Sequence, residues 1–420
     1  MRTPESSYDR RRLRQFLSGE ARADGVSRRD MLRLLAAAGV AGAAAPAALG
    51  APAVAATTAA PGIVKPVPEE LFTLRGTNAE TRFAALAGSG YHTPTDRFFV
   101  RNHTSTPLLS ADDWTLTVHG DGLVRDRPVE FSLADLKRLP SVSHSAFVEC
   151  AGNGRSFFGS QQGETVSGTA WTLGAIGVAR WRGVRLADVL RRAGLSRRAV
   201  DVMPRGLDAD YVTAEGADLG RVRRPLPLSK ALDDVLLAYE MNGAPLPPDH
   251  GHPVRVLVPS WIGIASVKWV GDIEVSAEPL YSPWNTDFYR LFGRGYPQEG
   301  SAPLTRQTVK SAWELDAGAN LAAGVGHRLT GRSWSGGGGV VRVDVSTDGG
   351  ASWRPARLHD APRRDGWVRW STHWRPTAPG PYTLLARATD RTGRTQPDTT
   401  AHNTQGYLFD AVVRHPVNAV

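Results

Sequence analysis

Apolar and polar residues alternate along the chain in a way that changes partway through. Trp114-Thr115-Leu116-Thr117-Val118-His119 has the period of two expected of a half-buried strand. Ser132-Leu133-Ala134-Asp135-Leu136 reads as a capped helix start, with Pro140 as its stop, and Leu186 to Ala193 predicts a second short helix. Val254 to Val258 and Ile273-Glu274-Val275 read as strands. Tyr91 to about Gly293 therefore predicts a mixed region of short strands and helices. From about Ser301 alternation dominates. Val341 to Ser346, Ser352 to Leu358, Trp367 to Trp374 and Tyr382 to Ala388 each read as strands, and Asp348-Gly349-Gly350 is a turn. Short strands between Gly, Pro and Asp turns predict an antiparallel sandwich of about 120 residues. Gly336 to Gly339 reads as a hairpin-type loop. It is not a phosphate loop, because no Lys-Ser/Thr follows and no helix opens there.

The first 56 residues have a different texture. Ser27-Arg28-Arg29-Asp30-Met31-Leu32-Arg33 precedes an Ala-, Gly- and Leu-rich run from Leu34 to about Ala45, and small residues surround Ala53-Val54-Ala55-Ala56. Charged, apolar and small segments in that order predict a removable export signal, and the paired arginines point to the twin-arginine type. The apolar run is short and broken by Pro46, which disfavours a permanent membrane helix. Residues 57–90, Pro- and Ala-rich and then polar, predict a linker or extended arm. The expected division is thus a signal over 1–56, an arm over 57–90, a mixed domain over 91–297 and a sandwich over 298–420. The twin-arginine route carries folded proteins, which suits an enzyme loaded with a cofactor before a periplasmic or other extracytoplasmic destination.

Charge and cysteine content narrow the function. The chain carries a formal net charge of +9, but residues 1–33 hold nine Arg and five acidic residues, an excess of four, which leaves +5 for the rest. Without a clustered basic stripe, nucleic acid is not an expected partner. The single cysteine excludes an intramolecular disulfide and any Cys-rich zinc or iron–sulfur site, and no Cys-x-x-Cys-His motif exists to attach a haem covalently.

That cysteine lies in Phe147-Val148-Glu149-Cys150-Ala151-Gly152-Asn153-Gly154-Arg155, a strand running into a tight glycine-containing turn. A thiolate favoured by a nearby arginine is a soft metal ligand, whereas a cysteine buried for packing is the structural alternative. Cys-Ala-Gly-Asn-x-Arg resembles the molybdenum-ligand motif of the sulfite oxidase family. Further segments agree in order: Phe98-Phe99-Val100-Arg101-Asn102-His103, Ala179 to Leu186, Tyr239 to Gly243 followed by Asp249 to Arg255 and Val267-Lys268-Trp269, and Trp334 to Gly338.

The resemblance covers roughly residues 90–415 and implies an α+β fold, with a mixed α/β molybdopterin domain followed by an immunoglobulin-like dimerisation sandwich. It implies Cys150 as the metal ligand, in a molybdenum–molybdopterin cofactor. Arg101 and Arg155 match arginines that face an oxyanion, a task that a permanently charged, forked guanidinium suits. His103, His250, Arg255 and Lys268 match positions that hold the pterin and its phosphate, and Asp208 and Ser266 lie in similar contexts. Trp171 aligns with a tryptophan near the substrate pocket. Tyr289, five residues after Trp284, matches an active-site tyrosine that steadies charge during electron loss. Gln405 stands where animal-type enzymes place a further substrate-facing arginine, so the case for sulfite in particular is weaker than the case for the metal. The implied reaction is oxidation of sulfite or a related small sulfur oxyanion to sulfate in a homodimer. No cytochrome b5-like domain precedes the matched region, so electrons are expected to leave to an external acceptor such as a cytochrome c. The alternatives are a molybdopterin reductase of sulfoxides or of an oxo-anion such as nitrate, and an exported binding protein without metal chemistry.

Overall fold

The computed structural model describes residues 62–420 apart from Asp126. The export signal over 1–56 lies outside the described residues. The first domain holds two five-stranded sheets. In one, Ala244–Pro245, Leu236–Met241, Ile176–Arg185 and Ser141–Glu149 lie side by side, all antiparallel, and Arg255–Leu257 also pairs with Leu236–Met241. In the other the order is Val129–Ser132, Thr115–His119, Val270–Ser276, Asp201–Gly206 and Leu226–Pro227; the pair Thr115–His119 and Val270–Ser276 is parallel and the other pairs are antiparallel.

Local chemistry explains the two helices read from the sequence. Leu133–Arg138 opens on a reciprocal cap: the Ser132 hydroxyl accepts from the Asp135 amide at 3.1 Å, and the Asp135 carboxylate accepts from the Ser132 amide at 2.9 Å. Leu186–Ala193 buries Leu186, Ala187, Val189, Leu190 and Ala193 on one face and stops at Gly194, whose φ of 92° suits glycine. That face joins the main core beneath the second sheet, with Leu116, Val118, Val202 and Ile273.

The second domain is a two-sheet sandwich. One sheet runs Lys310–Trp313, His327–Trp334, Trp367–Trp374 and Arg357–Leu358; the other runs Ala319–Leu321, His415–Ala419, Gly380–Asp390, Val340–Ser346 and Arg354–Pro355. Two expectations are corrected here. The run Ser352 to Leu358 is not one strand: Arg354–Pro355 pairs with Val340–Ser346, whereas Arg357–Leu358 pairs with Trp367–Trp374 in the opposite sheet. Pro355 has no amide hydrogen with which to continue the first ladder. The glycines 336–339 do not close a hairpin either, because His327–Trp334 and Val340–Ser346 belong to different sheets. The segment crosses between sheets and presses on the first domain: a Cβ on Gly336 would lie 2.6 Å from the Gln307 backbone and 2.7 Å from the Ser260 carbonyl oxygen.

The arm is packed rather than loose. It forms a hairpin, Phe72–Arg75 with Asn78–Thr81, and its apolar side chains Ile63, Val67 and Phe72 cluster with Ala79 and Val100. The two domains share a continuous apolar cluster in which Phe147, Ile176 and Val178 of the first meet Ala312, Trp334 and Trp367 of the second. This cluster lies along the strand that delivers Cys150, so the sandwich is built against the cysteine's own support. Among the described residues, no helix is long and apolar enough to cross a membrane.

Candidate active site

Cys150 follows the strand Ser141–Glu149 directly and opens a turn that runs into the helix Ser156–Gln162. Backbone bonds close the turn on itself and tie it to Ala175. The Cys150 amide donates to the Ala175 carbonyl at 3.0 Å, the Asn153 amide donates to the Cys150 carbonyl at 3.0 Å, and the Arg155 amide donates to the Gly152 carbonyl at 2.9 Å. Asn153, fully buried, accepts from the Ala175 amide at 3.0 Å and donates to Glu149 Oε1 at 3.0 Å. Gly154 takes a φ of 94°, and a Cβ built on it would lie 3.1 Å from Phe409 Cβ. A side chain at Gly154 would meet both a strained backbone and that ring.

Two clefts meet at the cysteine, and Arg101, His103, Cys150 and Tyr289 line both. The first cleft brings together all six residues expected to hold a pterin: His103, Asp208, His250, Arg255, Ser266 and Lys268. Its electrostatics are those of a site built for a large polar anion. Burial, and then the neighbouring Arg255, hold the Lys268 ammonium well below its ordinary pKa of 10.5. Burial alone lowers Arg255 to about 9. His250 is buried and His103 half-buried, and both are desolvated and pressed by nearby cations, His103 by Arg101 and Lys268, His250 by Lys65, Lys268 and Arg255. Both are held well below 6.5, so both imidazoles are neutral at pH 7. His250 Nε2 and Asp208 Oδ1 are buried with no hydrogen-bond partner among the described residues. Orphaned buried polar atoms are costly, and a ligand bearing both donors and acceptors would satisfy them.

Each cation is also held in place. Lys268 Nζ donates to the Asp249 carbonyl at 2.8 Å and to the Asn102 side chain, and it lies 4.1 Å from the Trp269 ring centroid. Arg255 donates to the carbonyls of His250 at 3.1 Å and Ser266 at 2.9 Å, tying together the two loops that carry those residues. The Ser266 hydroxyl accepts from the Val258 amide at 3.0 Å. Asp249, buried beside them, receives the Val64 and Lys65 amides and the Thr106 hydroxyl, so the N-terminal arm is fastened to the cleft's wall.

The second cleft reaches Cys150 from the side of Arg155. Arg155 is its most constrained cation. Its Nε donates to the Gln405 carbonyl at 2.8 Å and Nη1 to the Thr169 carbonyl at 2.8 Å, with the guanidinium 5.3 Å from the Tyr407 ring centroid. Glycines make room for it: a Cβ on Gly152 would lie 2.5 Å from the guanidinium carbon, and one on Gly406 would lie 2.7 Å from Arg155 Cγ. Tyr289 stacks on Tyr407 at 5.1 Å with an interplanar angle of 12°, and burial raises both phenols above 10.0. Both stay protonated at neutral pH and can donate. Gln405 lines this cleft; its amide nitrogen donates to the Asp287 carbonyl at 3.2 Å, and its Oε1 has no partner among the described residues.

Trp171 departs from its expected place. It is fully buried, packs edge-on against Phe99 with centroids 6.5 Å apart, and lines neither cleft. Its apolar bulk belongs to the core behind the Cys150 strand, and its indole Nε1 is buried with no hydrogen-bond partner among the described residues. Other residues of the site had no role read from the sequence. Asn102 and Asp249 sit beside Arg101 and His250 in the matched segments, so adjacency could have found them. Tyr407 lies two residues past Gln405. Lys310 and Gln307, which reach the cysteine strand from the second domain, carry no local signal.

A family model described as an oxidoreductase molybdopterin binding domain matches residues 103–284, and one described as a Mo-co oxidoreductase dimerisation domain matches residues 316–419. Sulfite oxidase of Gallus gallus is 38% identical over 350 residues, covering 78% of this chain and 73% of that protein. The chain belongs to the sulfite oxidase family. Mitochondrial sulfite oxidase of Homo sapiens is 39% identical over 348 residues, 78% of this chain and 61% of that protein, so the chain spans about three fifths of the mammalian relatives' length. The crystal structure of the sulfane dehydrogenase SoxCD from Paracoccus pantotrophus matches with a TM-score of 0.67 at 27% identity, covering 83% of this chain and 88% of that one. Within the family's framework, the donor set around the clefts fits a pterin-borne metal. Cys150 offers one soft thiolate, and the described residues include no group of three His, Cys, Asp or Glu side chains that could complete a metal site. The remaining metal ligands would come from the cofactor, with Asp208, His250 and Lys268 meeting its polar edge and phosphate.

Two measurements probe this geometry. Gly152→Ala displaces the Arg155 guanidinium, so KM for an anionic substrate should rise roughly tenfold, the loss of about one charge-assisted hydrogen bond, with a smaller change in kcat. Steady-state kinetics check it. Burial raises the Asp208 carboxyl from 3.8 to about 6 in the fold. A raised pKa means that its contribution to stability is full below 3.8 and is lost as pH rises through about 6. In protein purified without cofactor, Asp208→Asn should therefore melt higher than wild type above about pH 6 and match it below about pH 4. Melting curves across that range decide; a lower-melting variant at pH 7 would mean that the carboxylate is stabilising there.

Proposed function

We propose that this protein oxidises sulfite or a related small sulfur oxyanion to sulfate with a molybdenum–molybdopterin cofactor, and passes the electrons to an external acceptor such as a cytochrome c. The observation that carries the reading is the meeting of the two clefts at Cys150. One is lined by the cations Arg255 and Lys268 and by orphaned polar atoms of Asp208 and His250 suited to a pterin; the other is lined by two arginines suited to an oxyanion.

The balance is simple: sulfite and water give sulfate, two protons and two electrons. The bound cofactor supplies the two-electron redox chemistry and the oxygen transfer. The chain's own residues supply binding, orientation and exclusion of water. Arg155, pinned by the Gln405 and Thr169 carbonyls, presents its guanidinium with little freedom left to lose. Arg101 flanks it at the junction of the clefts. Together they offset the substrate's negative charge, which otherwise opposes entry into a cleft walled by Trp284, Phe288 and Tyr407. Tyr289, its phenol protonated, is placed to donate a hydrogen bond beside Cys150. Gln405 puts a neutral amide with a spare acceptor oxygen in the same cleft. It therefore tolerates a substrate that carries a proton or less charge than sulfite, and the related sulfur oxyanions stay within the reading.

The sandwich supports a homodimer, because residues 316–419 match a dimerisation domain. The order Ser27 to Arg33, Leu34 to Ala45 and Ala53 to Ala56 supports export by the twin-arginine pathway to a periplasmic or other extracytoplasmic compartment.

The test is to measure molybdenum and pterin in protein made by a cofactor-producing host, beside Cys150→Ser. Wild type should carry near-stoichiometric metal with a sulfur-to-metal charge-transfer absorption, and the variant should lose that absorption. Metal-free wild type from a competent host would favour a binding protein instead.

A further inference from the structure

The end of the strand that carries Cys150 is held from outside its own domain by charge. Glu149, the residue before the cysteine, is fully buried. Its Oε1 accepts from Lys310 Nζ at 2.7 Å, and Lys310, on the strand Lys310–Trp313 of the sandwich, is equally inaccessible. The same ammonium donates to the Asn153 carbonyl at 3.1 Å, so one side chain of the second domain grips the turn both before and after the cysteine. Gln307 adds a bond from its Nε2 to the Glu149 carbonyl at 2.6 Å, and the Asp365 carbonyl accepts from the Phe147 amide at 2.8 Å. On the other flank the Leu408 amide donates to the Ala151 carbonyl at 2.8 Å.

Such an arrangement is costly to build for stability alone. Removing two charges from water is barely repaid by their mutual attraction, and an apolar pair of the same shape commonly serves as well. The pair does two things an apolar contact would not. It fixes the direction of the Glu149 and Asn153 groups on either side of the thiolate, and it neutralises a carboxylate one residue from it.

We propose that Lys310, paired with Glu149, is a positioning residue for the Cys150 metal ligand, and that the sandwich thereby sets the geometry of the metal–sulfur bond in addition to any role in dimerisation. The proposal rests on Cys150 binding the metal. Residues that orient a metal ligand without touching the metal typically alter activity by about tenfold or more when removed.

The experiment compares full-length Lys310→Met, Glu149→Gln, the double variant and Lys310→Arg in a cofactor-producing host. Metal content, the charge-transfer band, kcat, KM and amide hydrogen exchange are read for each. Each of the first two single variants should shift the band and lower kcat by about tenfold with KM within about twofold. The amides of residues 150–155 should exchange faster, relative to the distant strand Asp201–Gly206. Lys310→Arg, which keeps a cationic donor, should return the band and most of kcat, whereas the double variant, which leaves no unpaired charge but lacks the grip on Asn153, should keep the shifted band and the lowered kcat. If the single variants only lower the melting temperature, with the band, kcat and turn exchange as in wild type, the pair is a scaffold and the proposal fails. If Lys310→Met does not accumulate, Glu149→Gln and the double variant carry the same comparison. Wild type without metal would overturn the functional reading instead, and the exchange of the turn in metal-free protein still decides whether Lys310 holds it.

Discussion

One thiolate must be held still at the place where two clefts meet, and much of the chain is arranged around that requirement. The strand Ser141–Glu149 brings Cys150 to the end of a sheet, and the turn after it spends its polar groups on neighbours rather than on water. Apolar packing supports the strand from both domains, with Phe147 facing Trp334 and Trp367 in a cluster that spans the boundary. The buried Lys310–Glu149 pair then ties the last residue of the strand to the sandwich. Breaking one partner of such a pair costs about 3–5 kcal/mol, because the other is left charged in a dry place. The two domains therefore act as one unit at the cysteine, whatever contacts the sandwich makes elsewhere.

The second organising feature is an imbalance of charge. Arg101, Lys268 and Arg255 converge on the clefts, and the carboxylates nearest them are either occupied or shifted. Asp249 is committed to the arm's amides, and Asp208 is pushed toward its neutral form by burial. Burial, and then Arg255 and Arg101, lower the affinity of Lys268 for its proton, and a bound phosphate would oppose that effect. The protein carries part of the cost of this arrangement until an anionic cofactor arrives. The same logic operates at smaller scale in the second cleft, where Gly152 and Gly168 leave room for the Arg155 guanidinium.

Much of this was legible in the sequence where the signal is local. The capped helix at Ser132 and the amphipathic helix ending at Gly194 are read from side chains within one turn of each other. The residues of the first cleft came from ordered motifs, since segments with fixed spacing bring the same side chains together. Reading failed where the deciding partner is distant. Ser352 to Leu358 alternates like one strand, yet it divides between two sheets. The glycines 336–339 look like a hairpin, but their flanking strands face different neighbours, and their smallness serves contact with Ser260 and Gln307. Trp171 shared an alignment with a pocket residue but not its exposure to the pocket, which periodicity does not report. Lys310 sits in a polar-looking stretch with nothing nearby to announce a partner 161 residues away.

The thiolate, the pterin cleft and the paired arginines together would make an oxidising site for a sulfur oxyanion. The most direct test is an anaerobic titration of the oxidised, molybdenum-loaded protein with sulfite and, separately, other small sulfur oxyanions, watched through the sulfur-to-metal absorption. The account predicts that at least one of these anions bleaches the band within the turnover time, and that a cytochrome c or comparable one-electron acceptor restores it. No bleaching with any sulfur oxyanion, together with recovery of the dithionite-reduced band on adding nitrate or a sulfoxide, would contradict it and place the protein among the oxo-transfer reductases.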